Sequence, residues 1–119
     1  MKKGTTSYHT QGLINDFEKL YRKNKKPLFE RIVRELKKPA RQKRDINLSK
    51  INRYSVEGSN IIVLGKVLSS GEMDHKANVI AFSFSDSAME KLKTKGCSAK
   101  LIDELAKDGK IPQKVIILG

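Results

Sequence analysis

The sequence has few of the residues on which disulfide, metal and aromatic chemistry depend. Its 119 residues include no Trp, one Cys, two His, four Phe and three Tyr. The single Cys97 excludes an internal disulfide, which is typical of a protein kept in a reducing compartment. The longest aliphatic runs, Ile61–Leu64 and Val115–Leu118, fall far short of the roughly 20 residues that a membrane span requires. Because no apolar stretch follows Lys3 either, we expect a cytoplasmic protein with no signal peptide and no membrane contact.

Side chains that carry catalysis are equally sparse. Neither His9 nor His75 lies beside a carboxylate pair in a pattern typical of a triad, and Cys97 has no Cys or His at metal-ligand spacing. Acidic pairs such as Asp103-Glu104 are more often solvated surface charges than general acids. The sequence therefore predicts no catalytic residue, no metal site, no cofactor and no small-molecule substrate.

Gly65-Lys66 follows an apolar segment, an arrangement that also occurs in nucleotide-binding phosphate loops. Such a loop requires a glycine five residues before the Gly-Lys pair and a Ser or Thr after it. Here Asn60 and Val67 occupy those positions. We interpret the pair as a turn that ends a strand, with Lys66 either exposed to solvent or close to an RNA backbone.

Positive charge is abundant and unevenly distributed. The net charge is +12, and residues 1–53 hold 16 Lys and Arg against 5 Asp and Glu, whereas residues 54–119 hold 9 against 8. All six Arg lie in the first part, and the guanidinium group pairs bidentately with phosphate. Because like charges repel, such a surplus opposes compaction unless a polyanion neutralises it. The charge distribution therefore predicts a phosphate-binding first half joined to a nearly neutral second half.

The densest charge run spans residues 37–44, with five basic side chains in eight positions and no acid. A run of this kind is often only a solvated surface, and a nuclear-localisation signal is a weaker alternative. A membrane-binding helix would require interleaved aromatic or long aliphatic residues, which this run does not contain. We therefore interpret it as a nucleic-acid contact. Since no aromatic RNA-recognition motif, zinc finger or KH-type loop is visible, recognition should depend on backbone and shape.

The first half of the chain has the apolar spacing of two helices. Thr10 is a candidate cap for the first, whose apolar face begins at Leu13, and residues 24–26 interrupt the pattern. Pro27 is suited to begin the second helix, and Pro39 ends it, since the residue before a proline disfavours helical geometry. Residues 46–51 suggest a short extended or irregular segment. Residues 1–9 are polar and basic, which is typical of a tail that orders against a partner.

Strand patterns are confined to the second half of the chain. Ile61–Leu64 is a β-branched run typical of a buried strand, and Gly65 is expected to end it. Alternating apolar residues from Val79 predict a half-buried strand, and Val115–Leu118 predicts a final buried one.

Two short helices are predicted between these strands. Ser87 and Glu90 have the spacing of a capping box, and Gly96 is placed to end the helix that it opens. Ser98 is expected to cap a second helix that closes at Gly109. The class is therefore mixed α/β, with a basic helical N-terminal part.

Five short segments, in this order along the chain, match those of a known protein family. Two of them together are specific, the Gly-Lys-Val-Leu segment and the Phe-Ser-Phe-Ser segment, and the match runs over residues 13–119. The sequence thereby resembles large-subunit ribosomal protein eighteen of the archaeal and eukaryotic type, which is related to bacterial large-subunit ribosomal protein fifteen. The five segments are Lys38-Pro39-Ala40-Arg41, Ile46-Asn47-Leu48-Ser49-Lys50-Ile51, Gly65-Lys66-Val67-Leu68, Ala81-Phe82-Ser83-Phe84-Ser85 and Val115-Ile116-Ile117-Leu118.

The resemblance implies a fold and a role in the cytoplasmic ribosome. The implied fold is an irregular β-β-α superhelical core behind a helical N-terminal part, and the length suggests the archaeal type. We expect one domain, with a basic tail at 1–9, a helical RNA-contact part at 10–53 and an α/β core at 54–119. The implied partners are large-subunit ribosomal RNA and neighbouring large-subunit proteins. The family transfers no catalytic residue.

Eleven cations are predicted to contact RNA. Four are carried over by position from the matching segments, four are predicted from charge alone, and three further cations of the basic half complete the set. Two alternatives remain open at this point, a general DNA-binding or chromatin protein and a small RNA-processing enzyme that uses His9 or His75. The predicted RNA-binding residues are Lys38, Arg41, Arg53 and Lys66 by resemblance, Lys2, Lys3, Lys43 and Arg44 by charge alone, and also Arg22, Lys37 and Lys50.

Overall fold

The computed structural model describes residues 8–38, 44–109 and 114–118, with the backbone alone for residues 8–10 and 44. After an N-terminal pair of helices, strands and helices alternate except at one point, where two strands follow each other. Within these ranges no helix is long and apolar enough to cross a membrane. The elements are α1 (Tyr8–Asn24), α2 (Pro27–Leu36), β1 (Arg44–Asn47), α3 (Leu48–Arg53), β2 (Asn60–Leu68), β3 (Asn78–Phe84), α4 (Asp86–Lys95), β4 (Ser98–Leu101), α5 (Ile102–Asp108) and β5 (Val115–Leu118).

Strand β2 is the centre of a sheet in which all the recorded pairings are parallel. On one side, β2 pairs with β3, which pairs in turn with β4. On the other side, β2 pairs with two strands, with β5 along Asn60–Val63 and with β1 along Gly65–Leu68. From β1 to β4 the chain advances one strand at a time in one direction across the sheet. This arrangement confirms the predicted mixed α/β class. The stepwise advance of the strands agrees with the superhelical core that the family resemblance implies.

Helices cover both faces of the sheet, so that Ile61–Leu64 of β2 is buried on both sides. Ile61 and Val63 face one cluster of buried residues, which α3 and α4 complete with Ile51 and Leu92. Ile62 and Leu64 face a second cluster, which is completed by α1, α2 and α5. A strand buried on both faces needs a continuous apolar run, which explains why β2 is rich in Ile and Val.

The helical pair α1 and α2 joins the sheet through the second cluster. Phe17 and Phe29 are fully buried, and their ring centroids lie 6.0 Å apart. The charged residues of the two helices remain on the outer faces. On α2, for example, Arg34 and Glu30 form an ion pair one turn apart. The N-terminal helical part is therefore packed on the core rather than separate from it.

Several predicted boundaries were wrong. Strand β2 does not end at Gly65 but continues to Leu68, because β1 and β3 both pair with its second half. Helix α4 is capped by Ser85, whose Oγ accepts a hydrogen bond from the Ala88 N–H at 3.1 Å, and not by Ser87. Ser98 begins strand β4 instead of capping a helix, since it pairs with β3.

The start of α1 was also predicted wrongly. Its first residue is Tyr8, so Thr10 lies within the helix rather than capping it. Residues 8 and 9, which were assigned to the basic tail, therefore belong to α1. The apolar face that begins at Leu13 indicates where a helix packs, but it does not mark where the first turn begins.

Other predicted boundaries are confirmed. Gly96 and Gly109 end α4 and α5 in the left-handed conformation, with φ of 85° and 67°. Residues 46–51 were expected to be extended or irregular, and this is wrong from Leu48 onward, where helix α3 begins. Ile46 of β1 and Leu48 of α3 both pack into the first cluster, so residues 44–53 are part of the core by their contacts.

Candidate nucleic-acid interface

The described part of the chain contains six of the eleven predicted cations with their side chains. Lys2, Lys3, Arg41 and Lys43 lie outside the described residues, and only the backbone of Arg44 is described. The six others are distributed over the outer surfaces of α1, α2, α3 and β2. They are Arg22, Lys37, Lys38, Lys50, Arg53 and Lys66.

Two of the six cations already have acidic partners. The Lys37 Nζ lies 3.5 Å from a Glu18 carboxylate oxygen, and the Lys38 Nζ lies 2.9 Å from a Glu35 carboxylate oxygen. Both lysines are at the C-terminal end of α2, where the helix dipole also favours positive charge. The pair of Lys37 with Glu18 is exposed and contributes only about 0–1 kcal/mol, so a phosphate group can replace that carboxylate at small cost. The Glu35 side chain is only 13% exposed, so replacing it as the partner of Lys38 costs more.

The other four cations have no ion pair with any acid in the described ranges. Arg22, Arg53 and Lys66 are exposed, and Lys50 is half-buried. Asp45 lies opposite Lys66 in the strand register, yet no ion pair joins their side chains. Cations without a protein partner are the ones whose charge is fully available to an external anion.

Strand β1 brings two separate parts of the sequence together. Its register places Arg44, the last residue of the basic run, beside Gly65 of β2, and Asp45 beside Lys66. The end of the run at 37–44 and the Gly-Lys-Val-Leu segment are therefore neighbours, although about twenty residues separate them in the sequence.

The residues after β1 are tied to the loop between β2 and β3. The Ser49 N–H donates to the Ser70 carbonyl at 3.0 Å, and the Ser70 N–H donates to the Asn47 side chain at 3.3 Å. Gly71 fits closely against Ser49, because a Cβ at Gly71 would lie 2.5 Å from the Ser49 Cβ. These contacts fix the start of α3 on the sheet.

Three exposed or half-exposed side chains share one face of α3. Lys50, Arg53 and Tyr54 are spaced i, i+3 and i+4, which places them on the same side of a helix. Tyr54 is the C-cap residue, and its N–H still donates to the Lys50 carbonyl at 3.2 Å, so the helical spacing extends to it. Opposite them, Leu48 and Ile51 are fully buried. We refer to Lys50, Arg53 and Tyr54 as the α3 face.

A chain of hydrogen bonds holds the end of α3. The Ser55 hydroxyl donates to the Ile51 carbonyl at 2.7 Å, and its oxygen also lies 2.7 Å from His75 Nε2. His75 Nδ1 lies 2.7 Å from a carboxylate oxygen of Asp74. Asp74 and Asn52 bond reciprocally, because the Asn52 amide donates to the carboxylate at 3.3 Å and the Asp74 N–H donates to the Asn52 oxygen at 2.9 Å.

The order Ser55, His75, Asp74 has the connectivity of a hydrolase triad, and the sequence did not predict it. A nucleophilic serine must be open to substrate and must give its proton to the histidine. Ser55 is only 9% exposed, and its proton goes to a helix carbonyl. The geometry is that of a structural clamp between α3 and the loop before β3.

The clamp changes the acidity of Asp74. The hydrogen bond from His75 is the main cause that lowers the pKa of Asp74 below its ordinary value of 3.8, and the bond from Asn52 adds to it. A carboxylate that accepts hydrogen bonds is favoured in its charged form. Asp74 therefore stays ionised at neutral pH and keeps its contacts with His75 and Asn52.

Sequence reasoning missed two features of this surface. Tyr54 is 53% exposed beside two predicted cations, but an isolated Tyr gives no pattern in the sequence. The turn between α1 and α2 carries exposed Lys23, Lys25 and Lys26 next to Arg22, and only Arg22 was predicted to bind. The density of cations at 22–26 was the signal that could have identified this turn.

Metal ligands do not cluster in the part of the chain that the structure describes: it contains no group of three or more His, Cys, Asp or Glu side chains able to hold an ion. Cys97 is buried, and its thiol lies 3.6 Å from the His75 carbonyl.

Comparison with known proteins gives one consistent result. The family model for the ribosomal proteins 50S-L15 and 50S-L18e and their 60S counterpart matches residues 14–100. A protein of Nanoarchaeum equitans named "Large ribosomal subunit protein eL18" is 42% identical over 117 residues, which cover 97% of this chain and 96% of that protein. The protein of the same name from Sulfurisphaera tokodaii is 44% identical over 93 residues, covering 78% of this chain and 75% of its own. That from Methanococcus maripaludis is 35% identical over 115 residues, covering 97% and 96%.

The matched residues include both helical layers and most of the sheet, from Ile14 in α1 to Lys100 in β4. The resemblance carried by the short segments is thereby confirmed over most of the chain. The chain belongs to the family of ribosomal proteins that comprises 50S-L15, 50S-L18e and their 60S counterpart.

Proposed function

We propose that this protein is a structural constituent of the large subunit of the cytoplasmic ribosome and binds large-subunit ribosomal RNA by neutralising phosphates. The family is one of ribosomal proteins and not of enzymes, and the three relatives above are each named as large-subunit proteins. The observation that carries the mechanism is the surplus of 11 positive charges in residues 1–53, where 16 Lys and Arg face 5 Asp and Glu. RNA segments repel each other through their phosphates, and fixed cations on a folded scaffold relieve that repulsion.

The predicted contact residues form part of this proposal. Arg22, Lys50, Arg53 and Lys66 have no acidic partner within the described ranges, which favours them as phosphate ligands. Lys37 and Lys38 contribute by exchanging a carboxylate for a phosphate. We propose the same role for the cations outside the described ranges and for the side chain of residue 44. These are Lys2, Lys3, Arg41, Lys43 and Arg44.

The test is the salt dependence of binding to large-subunit ribosomal RNA. Each phosphate contact changes the slope of log affinity against log salt by roughly 0.7 to 0.9. We expect Arg53→Ala with Lys66→Ala to flatten the slope by between one and two. The matched control is Lys93→Ala with Lys107→Ala, two exposed lysines of the nearly neutral half, which should leave the slope unchanged. Equal slopes for both variants would contradict the proposed contact surface.

Two further measurements separate this function from its rivals. Equal affinity for ribosomal RNA and for duplex DNA at one salt concentration would favour a general DNA-binding protein. Turnover of RNA by the purified protein, lost when His9 and His75 are both changed to Ala, would favour a processing enzyme. The proposed function predicts a preference for ribosomal RNA, no turnover, and release from large subunits only at high salt.

A further inference from the structure

The α3 face combines an exposed aromatic ring with two cations on a rigid support. Tyr54 is 53% exposed, Arg53 is exposed and Lys50 is half-exposed. None of the three side chains makes a hydrogen bond or ion pair with another residue in the ranges that the structure describes. Covering the exposed ring would remove apolar surface from water, and the two cations attract a polyanion to it.

We propose that the α3 face is a nucleotide-binding site, in which the ring of Tyr54 stacks on an unpaired base of ribosomal RNA. Arg53 and Lys50 hold the phosphates that flank this base. The proposal rests on the function proposed above and adds to it a contact that is not electrostatic. Ribosomal RNA loops and bulges present unstacked bases, and aromatic side chains are their usual partners.

The position of Tyr54 is fixed by groups on both sides of it. Ile51 is fully buried in the first cluster, and Ser55 is tied to Ile51 and His75 by two contacts of 2.7 Å. Asn52 is tied to Asp74 by two hydrogen bonds. Because the residues around Tyr54 are held in this way, its backbone position is fixed, and only the rotamer of the ring must be ordered when a base covers it.

Charge complementarity favours RNA over a protein partner for this face. The two cations in helical spacing with Tyr54 have no acidic partner in the described chain, so their charge is available to the phosphates of an RNA strand. A protein partner would have to supply two acids as well as an apolar pocket.

The experiment compares the full-length protein and its variants in binding to in vitro transcribed large-subunit ribosomal RNA over a range of salt concentrations. Tyr54→Leu removes the aromatic face while keeping an apolar side chain, and Tyr54→Phe keeps the ring. We expect the Leu variant to bind about tenfold more weakly with an unchanged salt slope, since stacking contributes about 1–3 kcal/mol per base. We expect the Phe variant to bind within about twofold of wild type, because the ring is retained. Leu101→Ala, a change at another exposed apolar residue, is the control and should bind as wild type does.

Ultraviolet cross-linking gives a second measurement that does not depend on variants. Trypsin cleaves after Arg53 and Lys66, and Tyr54 is the only aromatic residue in the peptide 54–66. Stacking predicts a nucleotide adduct on this peptide after irradiation of the complex, and the adduct should be lost in Tyr54→Leu.

The outcomes separate this proposal from the function on which it rests. Wild-type affinity in Tyr54→Leu, with steep salt dependence kept and no adduct on the peptide, would overturn the stacking proposal and leave RNA binding intact. The same result combined with weaker incorporation of the variant into assembled subunits would assign the face to a protein neighbour and overturn the proposal as well. Failure of the wild-type protein to bind ribosomal RNA would instead contradict the proposed function.

Discussion

At the scale of single residues, the contact between His75 and Asp74 links the protein's stability to pH. The hydrogen bond from His75, supported by Asn52, lowers the pKa of Asp74 in the folded state below 3.8. A lowered carboxyl pKa means that the folded state favours the charged form, so the stabilisation is present above about pH 3.8 and is lost as pH falls through the folded pKa. We expect Asp74→Asn to remove this part of the acid sensitivity, which urea unfolding between about pH 5 and pH 2 measures.

The control for this prediction is a carboxylate of similar exposure outside the clamp. Asp86→Asn changes an exposed acid in the first turn of α4 that lies outside the clamp, where it has only a small interaction with the helix dipole. A dependence of stability on pH that is the same in Asp74→Asn and in the wild-type protein would contradict the assigned role of the His75 bond.

At the scale of secondary-structure elements, the start of α4 distinguishes two serines that the sequence alone does not. The Ser85 hydroxyl accepts from the Ala88 N–H at 3.1 Å, whereas Ser87 lies inside the helix and is exposed. We expect Ser85→Ala to lower the free energy of unfolding by about 1 kcal/mol, because a helix N–H loses its acceptor. Ser87→Ala should leave it nearly unchanged, since Ala is a good helix former. A larger loss in Ser87→Ala, measured by urea unfolding, would favour the cap predicted from the sequence.

The elements also mark the limit of what the sequence could predict. Periodicity identified the strands at Ile61–Leu64, Val79–Ser85 and Val115–Leu118 and the pair of N-terminal helices, because each buries its own apolar pattern. It did not identify β1 or the second half of β2, since Arg44–Asn47 has no strand pattern and is held by parallel pairing with Gly65–Leu68. Long-range pairing of this kind leaves no local signal.

The candidate site likewise contains features that the sequence predicted and features that depend on tertiary contacts. Net charge and its distribution predicted that the first 53 residues form the contact part, and Lys50, Arg53 and Lys66 were all named from the sequence. The ion pairs of Lys37 and Lys38, the clamp at Ser55 and the exposed ring of Tyr54 depend on tertiary contacts. Which cations are available to a phosphate could therefore not be predicted from composition.

At the scale of the whole molecule, repulsion among the surplus positive charges opposes the folding of the layered core. The molecule measures 36 × 34 × 19 Å and has a net charge of +12, so many of its cations lie within a few Debye lengths of each other at low salt. The repulsion acts on the free protein and is cancelled in the complex with RNA. Salt screens both the repulsion within the protein and the attraction to RNA. It therefore favours folding of the free protein and disfavours binding to RNA.

We therefore expect KCl to stabilise the free protein and to weaken its complex with RNA. Raising KCl from about 0.05 M to about 0.5 M shortens the Debye length from roughly 14 Å to roughly 4 Å, which screens repulsion among the cations of residues 1–53. The Tm of the free protein should rise by a few degrees, measured by circular dichroism, while the affinity for large-subunit ribosomal RNA falls by orders of magnitude. The exposed ion pairs, such as Arg34 with Glu30, weaken over the same range but contribute too little to reverse the sign. A Tm that falls with KCl while RNA binding stays salt-sensitive would mean that attraction between fixed charges outweighs repulsion in the free protein, and that the surplus is already balanced within the fold.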